Sequence, residues 1–233
     1  MAIFAIGDLH LSSNGEKPMN VFGQQWDNHF ATIRARWQEE IRPEDVILIP
    51  GDISWAMQFD DVKTDLQSIA ELPGTKILLR GNHDYWWSSI SRLRAYLPAG
   101  MLALQNDSVT LNGLAICGTR GWNFPTEQNM LDAQELKIYR RELIRLELAL
   151  ESAKKAQLPI LAMMHFPPLL AEHRDSEFTA LLEKYGVKLC VYGHLHGAGI
   201  QNGFSGTRNG IQYRLVSCDS IDFSPVCVWD GKA

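Results

Sequence analysis

The first hundred positions alternate between short apolar runs and longer stretches in which apolar residues recur every three or four positions. Three of the runs have the length of a strand, namely Ala2–Ile6, Val46–Ile49 and Ile77–Leu79. From Trp26 to Ile41 the apolar residues share one helical face. This alternation predicts parallel strands that are joined by helical crossovers.

The pattern changes after Gly100, where short strands follow one another closely. Asn112-Gly113 separates two of them and is a strong signal for a tight hairpin. A long helix is predicted over 131–156, and its apolar stripe either covers a sheet or forms the seam of a homodimer. The other predicted elements are helices over 62–72, 90–97 and 178–185 and strands over 101–104, 109–111, 114–117, 160–164, 188–192, 212–217 and 226–229. Parallel and hairpin-joined strands together predict an α/β fold with mixed sheets, and we expect one domain over 1–233 because no repeat or linker divides the chain.

The composition sets limits on this picture. Of the 233 residues 45% are hydrophobic and 21% charged, which is typical of a globular protein and excludes a disordered one. The net charge of −5 disfavours nucleic acid and anionic membranes as partners. We expect a cytoplasmic protein, since the N-terminus lacks a signal-peptide pattern and the apolar runs are too short to span a membrane. The four cysteines lie in or beside strand-like runs without a C-x-x-C pair, so we expect free, buried thiols.

Candidate metal ligands follow five of the predicted strands directly. In an open α/β sheet, ligands collect at the carboxyl ends of the strands, so these five segments should converge on one point. Residues two apart in extended chain share a face, which lets both members of a D-x-H or H-x-H pair address the same centre. The five segments are Asp8-Leu9-His10, Gly51-Asp52, Gly81-Asn82-His83-Asp84, Met164-His165 and Gly193-His194-Leu195-His196.

The types of ligand narrow the choice of metal. Imidazoles, carboxylates and one amide without a thiolate fit Mn, Fe, Zn or Co better than Ca or a structural zinc site. Seven candidate ligands are too many for one tetrahedral ion and suit two divalent ions that share a bridging carboxylate. The seven are Asp8, His10, Asp52, Asn82, His165, His194 and His196.

The ordered series D-x-H, G-D, G-N-H-D, H and G-H-x-H resembles that of the calcineurin-like metallophosphoesterase family and extends from Asp8 to His196. The resemblance implies a four-layer αββα sandwich of two mixed β-sheets flanked by helices, with a dinuclear metal site at the C-terminal edge of the strands. It also implies roles for the residues that match the motifs. Asp8, His10 and His196 resemble ligands of the first metal, Asp52 the bridging carboxylate, and Asn82, His165 and His194 ligands of the second metal. His83 resembles a catalytic histidine near the leaving group, and Asp84 its orienting partner.

The implied activity is hydrolysis of a phosphomonoester or phosphodiester by in-line attack of a metal-bridging hydroxide, with His83 assisting the leaving group. The expected partner is a small phosphate-ester substrate. Two alternatives use the same residues and stay open: a nuclease or cyclic-nucleotide phosphodiesterase, and a catalytically silent metal-binding scaffold of the same fold.

Two departures from related subfamilies restrict the substrate. Phosphoprotein phosphatases resemble the chain over 78–83, but they have Glu in place of Asp84 and an Asp-Arg pair soon after the G-D motif. The corresponding segment here, 53–56, contains no arginine, so a protein phosphatase is disfavoured. Lipid A pathway pyrophosphatases share an opening like that of 8–11 but have Arg in place of His83.

Weaker candidates for substrate contacts lie in the loops that should surround the site. Trp55, Trp86, Trp87, Trp122 and Phe124 either stack on a substrate or form a local hydrophobic cluster. Among them we select Trp55 and Trp86 as substrate-binding candidates. Arg120 and Arg174 are candidates for holding a substrate phosphate, and the alternative is a solvated surface arginine.

Overall fold

The computed structural model describes residues 1–12, 17, 19–125 and 130–231. Strands and helices alternate along the first half of this part, and strands predominate later. In chain order the elements are β1 (Ile3–Ala5), α1 (His29–Glu40), β2 (Val46–Pro50), α2 (Lys63–Ala70), β3 (Thr75–Leu79), α3 (Ile90–Tyr96), β4 (Met101–Ala103), β5 (Ser108–Leu111), β6 (Leu114–Thr119), α4 (Ala133–Lys154), β7 (Ile160–Met164), α5 (Glu177–Lys184), β8 (Leu189–Tyr192), β9 (Gly206–Arg208), β10 (Ile211–Leu215) and β11 (Val226–Trp229).

The strands form two mixed sheets. The first sheet has the order β11-β1-β2-β3-β4, with β11 antiparallel to β1 and the other neighbours parallel. The second has the order β5-β6-β7-β8-β10-β9, parallel in the middle and antiparallel at both edges. The parallel strands bring their carboxyl ends to one edge of each sheet, which is where the candidate ligands follow.

Three apolar layers separate four layers of secondary structure. In β2, Ile47 and Ile49 pack toward α1 and α2, whereas Val46 and Leu48 pack toward the second sheet. This alternation arises because successive side chains of a strand point to opposite faces of the sheet. A third cluster lies between the second sheet and helices α4 and α5. The predicted four-layer αββα sandwich is therefore confirmed.

Helix α4 shows which interpretation of its apolar stripe is right. Tyr139, Leu146 and Leu150 are buried in the cluster that lies against the second sheet. The helix begins at Asp132, whose side chain accepts from the backbone N–H groups of residues 134 and 135 and forms a capping box with Glu135. The stripe thus faces the chain's own core and is not available as a dimer seam, and a homodimer stays a prediction.

Strand β9 is missing from the sequence-based assignment. It pairs antiparallel with β10 through a turn at Asn209-Gly210, whose φ angles of 49° and 80° are those of a tight hairpin turn. The Asn-Gly pair is the same signal that predicted the hairpin at Asn112-Gly113. The strand itself, Gly206-Thr207-Arg208, is three residues long and contains no apolar residue, so no period-two pattern marks it.

The cysteines are free thiols, as expected, but they are not all buried. Cys117, Cys190 and Cys218 are buried, whereas Cys227 is exposed. Cys227 lies on edge strand β11, where one face of the sheet reaches solvent.

Among the residues that the structure describes, no helix is long and apolar enough to cross a membrane.

Candidate metal centre

Five strands of the two sheets end at the candidate centre. In the first sheet β1, β2 and β3 lead into the segments with Asp8, Asp52 and Asn82. In the second sheet β7 and β8 lead into His165 and His194. The Gly7 N–H donates to the carbonyl of residue 216 after β10, which joins the two sheets directly beside Asp8.

The predicted ligands lie in two adjoining groups. One group is Asp8, His10 and His196, and the other is Asp52, His165 and His194; within each group one ligand atom per residue lies within 4.8 Å of the others. Asn82 joins the second group, because its Oδ1 is 2.6 Å from His165 Nε2. Asp52 belongs to both groups: its Oδ2 lies 3.7 Å from His10 Nε2 and 3.4 Å from His165 Nε2. All seven residues singled out from the sequence are thus brought together.

The donor atoms face one another in a way that calls for a positive charge between them. His165 Nδ1 lies 3.0 Å from the Pro50 carbonyl, which requires a proton on Nδ1. The Nε2 lone pair of a neutral His165 would then face the Asn82 oxygen at 2.6 Å. A cation or a second proton resolves this contact, and imidazole, carboxylate and amide donors fit a divalent transition metal.

In the other group a carboxylate, in place of a backbone carbonyl, holds the Nδ1 side of the imidazole. His196 Nδ1 is 2.9 Å from Asp219 Oδ1, and His196 Nε2 faces His10 Nε2 at 3.3 Å. A carboxylate that fixes the ring from behind is a common support for a metal-binding histidine. Asp219 also accepts from the Gly197 N–H. Sequence reasoning missed Asp219, although it follows the end of β10 closely, as the other acidic residues follow theirs.

Burial lowers the pKa of two of the four imidazoles in the two groups, and the surrounding carboxylates raise the pKa of the other two. Burial lowers the pKa of His10 to about 3, and burial together with His165 lowers that of His194 to about 4. For His165 and His196 burial also opposes the charged form, but the carboxylates outweigh it. Asp52 and Asp8 raise the pKa of His165 to about 9, and Asp219 and Asp8 raise that of His196 to about 10.

Two glycines leave the space that the carboxylates occupy. A Cβ on Gly81 would lie 2.1 Å from Asp52 Oδ1, and a Cβ on Gly193 would lie 2.2 Å from Asp8 Oδ2. Both carboxylates also accept backbone N–H groups, Asp52 from His83 at 2.8 Å and Asp8 from His194 at 3.0 Å. The absence of a side chain at both glycines thus lets the backbone come close to the two carboxylates.

Four of the candidate ligands have positive φ angles, a conformation that is costly for residues other than glycine. The surrounding strand ends must hold them there, because isolated chain would not adopt this conformation. These residues are Asp8 at 58°, His10 at 44°, Asp52 at 50° and His194 at 76°.

His83 lies at the mouth of the cluster. Its ring centroid is 4.4 Å from that of Trp55 and 5.9 Å from that of His10. The ring is half-buried, and this burial lowers its pKa. Its Nδ1 has no hydrogen-bond partner among the residues that the structure describes.

Asp84 has a different role from the one predicted. Its carboxylate does not contact the His83 ring but accepts the backbone N–H groups of Ile53, Ser54 and Gly81 and the indole N–H of Trp86. Asp84 therefore ties the loop after β2 to the loop after β3. It positions the segments that carry Asp52 and His83 and does not orient the histidine directly.

The aromatic residues separate into one at the site and others in the core. Trp55 stacks on His10, with ring centroids 4.7 Å apart. Trp86 and Trp87 are buried in the core beside the first sheet, so the selection of Trp86 as a substrate contact was wrong. Phe124 packs against Phe178 of α5. Trp122 packs on Phe166, whose ring centroid lies 4.1 Å from that of His194.

The two arginine candidates have different surroundings. Arg174 is exposed, and its carbonyl accepts from the Leu170 N–H. Arg120 follows β6, its side chain is 13% exposed, and its guanidinium lies 4.6 Å from the Trp122 ring centroid. Its carbonyl accepts the N–H groups of His165 and Phe166, which places the Arg120 backbone directly beside the candidate centre.

Two mixed sheets between helices, with adjoining groups of buried imidazoles and carboxylates at the carboxyl ends of the strands, define an α/β protein with a candidate two-metal centre. The model of the calcineurin-like phosphoesterase family matches residues 1–198. The chain belongs to this family, which supports a metal-dependent phosphoesterase in general terms.

Solved structures add support for the fold. The crystal structure of the protein of unknown function AQ665 from Aquifex aeolicus is 17% identical, with a TM-score of 0.50, over 97% of this chain and 94% of that chain. A second solved structure is 10% identical, with a TM-score of 0.54, over 94% and 91% of the two chains. No curated protein matches the sequence significantly. At these identities the likeness concerns the fold alone.

Proposed function

We propose that the protein is a metal-dependent phosphohydrolase that cleaves a small phosphomonoester or phosphodiester. The observation that carries this proposal is the position of Asp52 Oδ2, 3.7 Å from His10 Nε2 and 3.4 Å from His165 Nε2. A single carboxylate oxygen between two groups of imidazoles is the arrangement that a bridged pair of metal ions requires.

The donor set fits two divalent cations, with Mn, Fe, Zn and Co as the candidates. When bound, such ions supply positive charge for a phosphate group and lower the pKa of a coordinated water. The ligands would be Asp8, His10, Asp52 and His196 for one ion and Asp52, Asn82, His165 and His194 for the other.

His83 acts on the leaving group in this proposal. Burial keeps its imidazole neutral at pH 7, so it donates a hydrogen bond to the leaving oxygen as negative charge develops there. Trp55 stacks on His10 and touches His83, and it limits the access of water on this side. Asp84 holds the loop after β2 against the loop after β3.

Substitution of Asp52 tests the centre. We expect Asp52→Asn to bind less metal in elemental analysis and to lose more than about 100-fold in kcat/KM on p-nitrophenyl phosphate, because even outer partners of metal ligands are worth about 10- to 100-fold. Asp61→Asn is the matched control, since Asp61 is exposed. Turnover of Asp52→Asn at the level of this control would contradict the proposal.

Substitution of His83 tests the leaving-group role separately. We expect His83→Ala to keep its metal content and to lose about 10²- to 10⁴-fold in kcat. His173→Ala is the control, because His173 packs on Phe204 and belongs to neither group of candidate ligands. A His83→Ala enzyme that loses metal would show that His83 acts through the centre instead.

The class of ester is tested with a metal-by-substrate screen. Hydrolysis of bis-p-nitrophenyl phosphate without hydrolysis of the monoester would favour a diesterase, including nuclease or cyclic-nucleotide activity. Full metal content without hydrolysis of any phosphate ester would instead favour a scaffold. We propose a small ester as substrate because the net charge of −5 provides no general attraction for nucleic acid.

A further inference from the structure

A cavity lies beside the candidate centre, at the ends of β3 and β6 and under helix α4. Its volume is about 350 Å³, and it opens where β3 and β6 end. Arg80 forms part of its wall and precedes Asn82 by two residues, which limits the distance between their Cα atoms to about 7 Å. We call this cavity the arginine pocket, defined by Arg80, Ser88, Arg120, Trp122, Arg141 and Arg145.

The pocket carries a strong excess of positive charge. Its charged lining residues are four arginines and Glu142, which leaves a formal charge of 4 − 1 = +3. The Glu142 carboxylate is fully engaged: it contacts the Arg145 guanidinium at 2.8 Å, lies 3.7 Å from that of Arg120 and accepts the Thr119 hydroxyl at 2.7 Å. One carboxylate is therefore shared by several guanidinium groups. The residues that line the pocket do not neutralise the remaining positive charge.

Several donors of the pocket have no acceptor. Arg80 Nε, Arg120 Nε, Ser88 Oγ and Trp122 Nε1 are buried without a hydrogen-bond partner among the described residues. All four residues line the same cavity. Leaving a buried donor unpaired is costly, so four of them in one wall point to an acceptor that is supplied from outside the chain.

The guanidinium groups also repel one another. The guanidinium groups of Arg120 and Arg145 lie 3.7 Å and 2.8 Å from the same Glu142 oxygen, so these like charges are held close together at a cost in repulsion. An oxyanion with several acceptor oxygens would remove the repulsion and pair the donors, since planar guanidinium groups match the geometry of phosphate.

We propose that the arginine pocket binds a phosphate group, and that it serves as a second anion subsite beside the metal centre. The substrate class that follows is a phosphate ester that carries a second phosphate group. The subsite role rests on the proposed phosphohydrolase function, whereas phosphate binding by the pocket stands without it.

Calorimetric titration with inorganic phosphate tests the binding. We expect the metal-loaded full chain to bind two phosphates, one of which disappears on treatment with EDTA. Arg141→Gln and Arg145→Gln should each weaken the EDTA-resistant site at least about tenfold. Arg140→Gln is the matched control, because Arg140 is the exposed neighbour on the same helix and lies outside the pocket. A single phosphate that is lost with EDTA, or equal affinity in all three variants, would overturn the proposal.

Kinetics decide whether the bound phosphate belongs to the substrate. We expect Arg145→Gln to lower kcat/KM at least about tenfold more for a sugar bisphosphate than for p-nitrophenyl phosphate, and Arg140→Gln to treat both alike. Equal losses for the two substrates would overturn the subsite role. If neither of these compounds nor bis-p-nitrophenyl phosphate is hydrolysed by the metal-loaded protein, the proposed function fails, while the titration still decides whether the pocket binds phosphate.

Discussion

Two protons hold the candidate centre together when no metal is bound. His165 faces Asp52 and Asn82 with Nε2, and His196 faces Asp8 and His10 in the same way. Both imidazoles have raised pKa values, about 9 and about 10, so each carries a positive charge at pH 7. These two charges occupy the places where the carboxylates and the amide oxygen require a cation.

Metal binding should therefore expel protons. At pH 7 we expect at least about two protons to be released per protein on loading, because His165 and His196 must become neutral to act as ligands and a coordinated water that ionises releases a further proton. Calorimetry in buffers of different ionisation enthalpy measures this number. Asp219→Asn removes the carboxylate that does most to raise the pKa of His196 and should lower the number. Loading without proton release would contradict the assignment.

The same pKa values make the stability of the metal-free protein depend on pH. A histidine whose pKa is higher in the folded than in the unfolded chain stabilises the fold below its unfolded pKa, here 6.5, and loses this contribution as the pH rises through its folded pKa. We expect the free energy of unfolding in EDTA to fall between about pH 6.5 and pH 10. Urea unfolding at several pH values measures it, and a stability that rises over this range would contradict the two pKa values.

At the scale of the element, the ends of the strands do more than present ligands. Gly81 and Gly193 lie in the segments that follow β3 and β8, and each lies against a carboxylate that comes from another strand. The backbone of one strand end thereby fixes the side chain of another. Ligand geometry consequently depends on residues that donate nothing to a metal.

Gly193→Ala tests this dependence. The added methyl would lie 2.2 Å from Asp8 Oδ2, so either the carboxylate or the strand end must move. We expect loss of metal content and of activity by more than about tenfold, although no ligand is removed. Gly199→Ala is the control, because a Cβ there meets nothing within 4 Å. Metal content equal to that of the control would show that the site adapts to the methyl group.

At the scale of the whole molecule, the candidate centre joins the two sheets. Asp8, His10, Asp52 and Asn82 come from the first sheet, and His165, His194 and His196 come from the second. The sheets otherwise meet through the apolar layer between them and contacts such as the Gly7 N–H to residue 216. Bound metal would therefore add direct links between the two sheets, which the covalent chain joins only through connecting segments.

Metal should raise the melting temperature as a result. At a concentration about 100 times the dissociation constant, one site adds about 2.7 kcal/mol to the free energy of unfolding, which corresponds to roughly 5–10 °C for a chain of this size. Differential scanning calorimetry with and without EDTA measures the difference. Asp52→Asn should show much less of it. An equal melting temperature with and without metal would contradict a centre that spans the sheets.

Much of the fold followed from local patterns. Apolar runs predicted most strands because a strand that is buried on both faces consists of consecutive apolar residues. The apolar stripe of α4 predicted a helix. Strand β9 was not predicted because three residues without an apolar side chain are too short to show an alternating pattern. Likewise, the interpretation of Trp86 failed because a loop position in the sequence does not reveal that the indole turns inward to Asp84.

The sequence by itself determined the candidate ligands, since carboxylates and imidazoles that follow apolar strands directly are a local pattern. Only the tertiary structure decided how those ligands are supported and what lies beside them. Asp219 and His196, the loops tied by Asp84, and the three segments that supply the arginines of the arginine pocket are separated along the chain. Their grouping arises from the packing of two sheets and a helix, and no local spacing encodes such a distance.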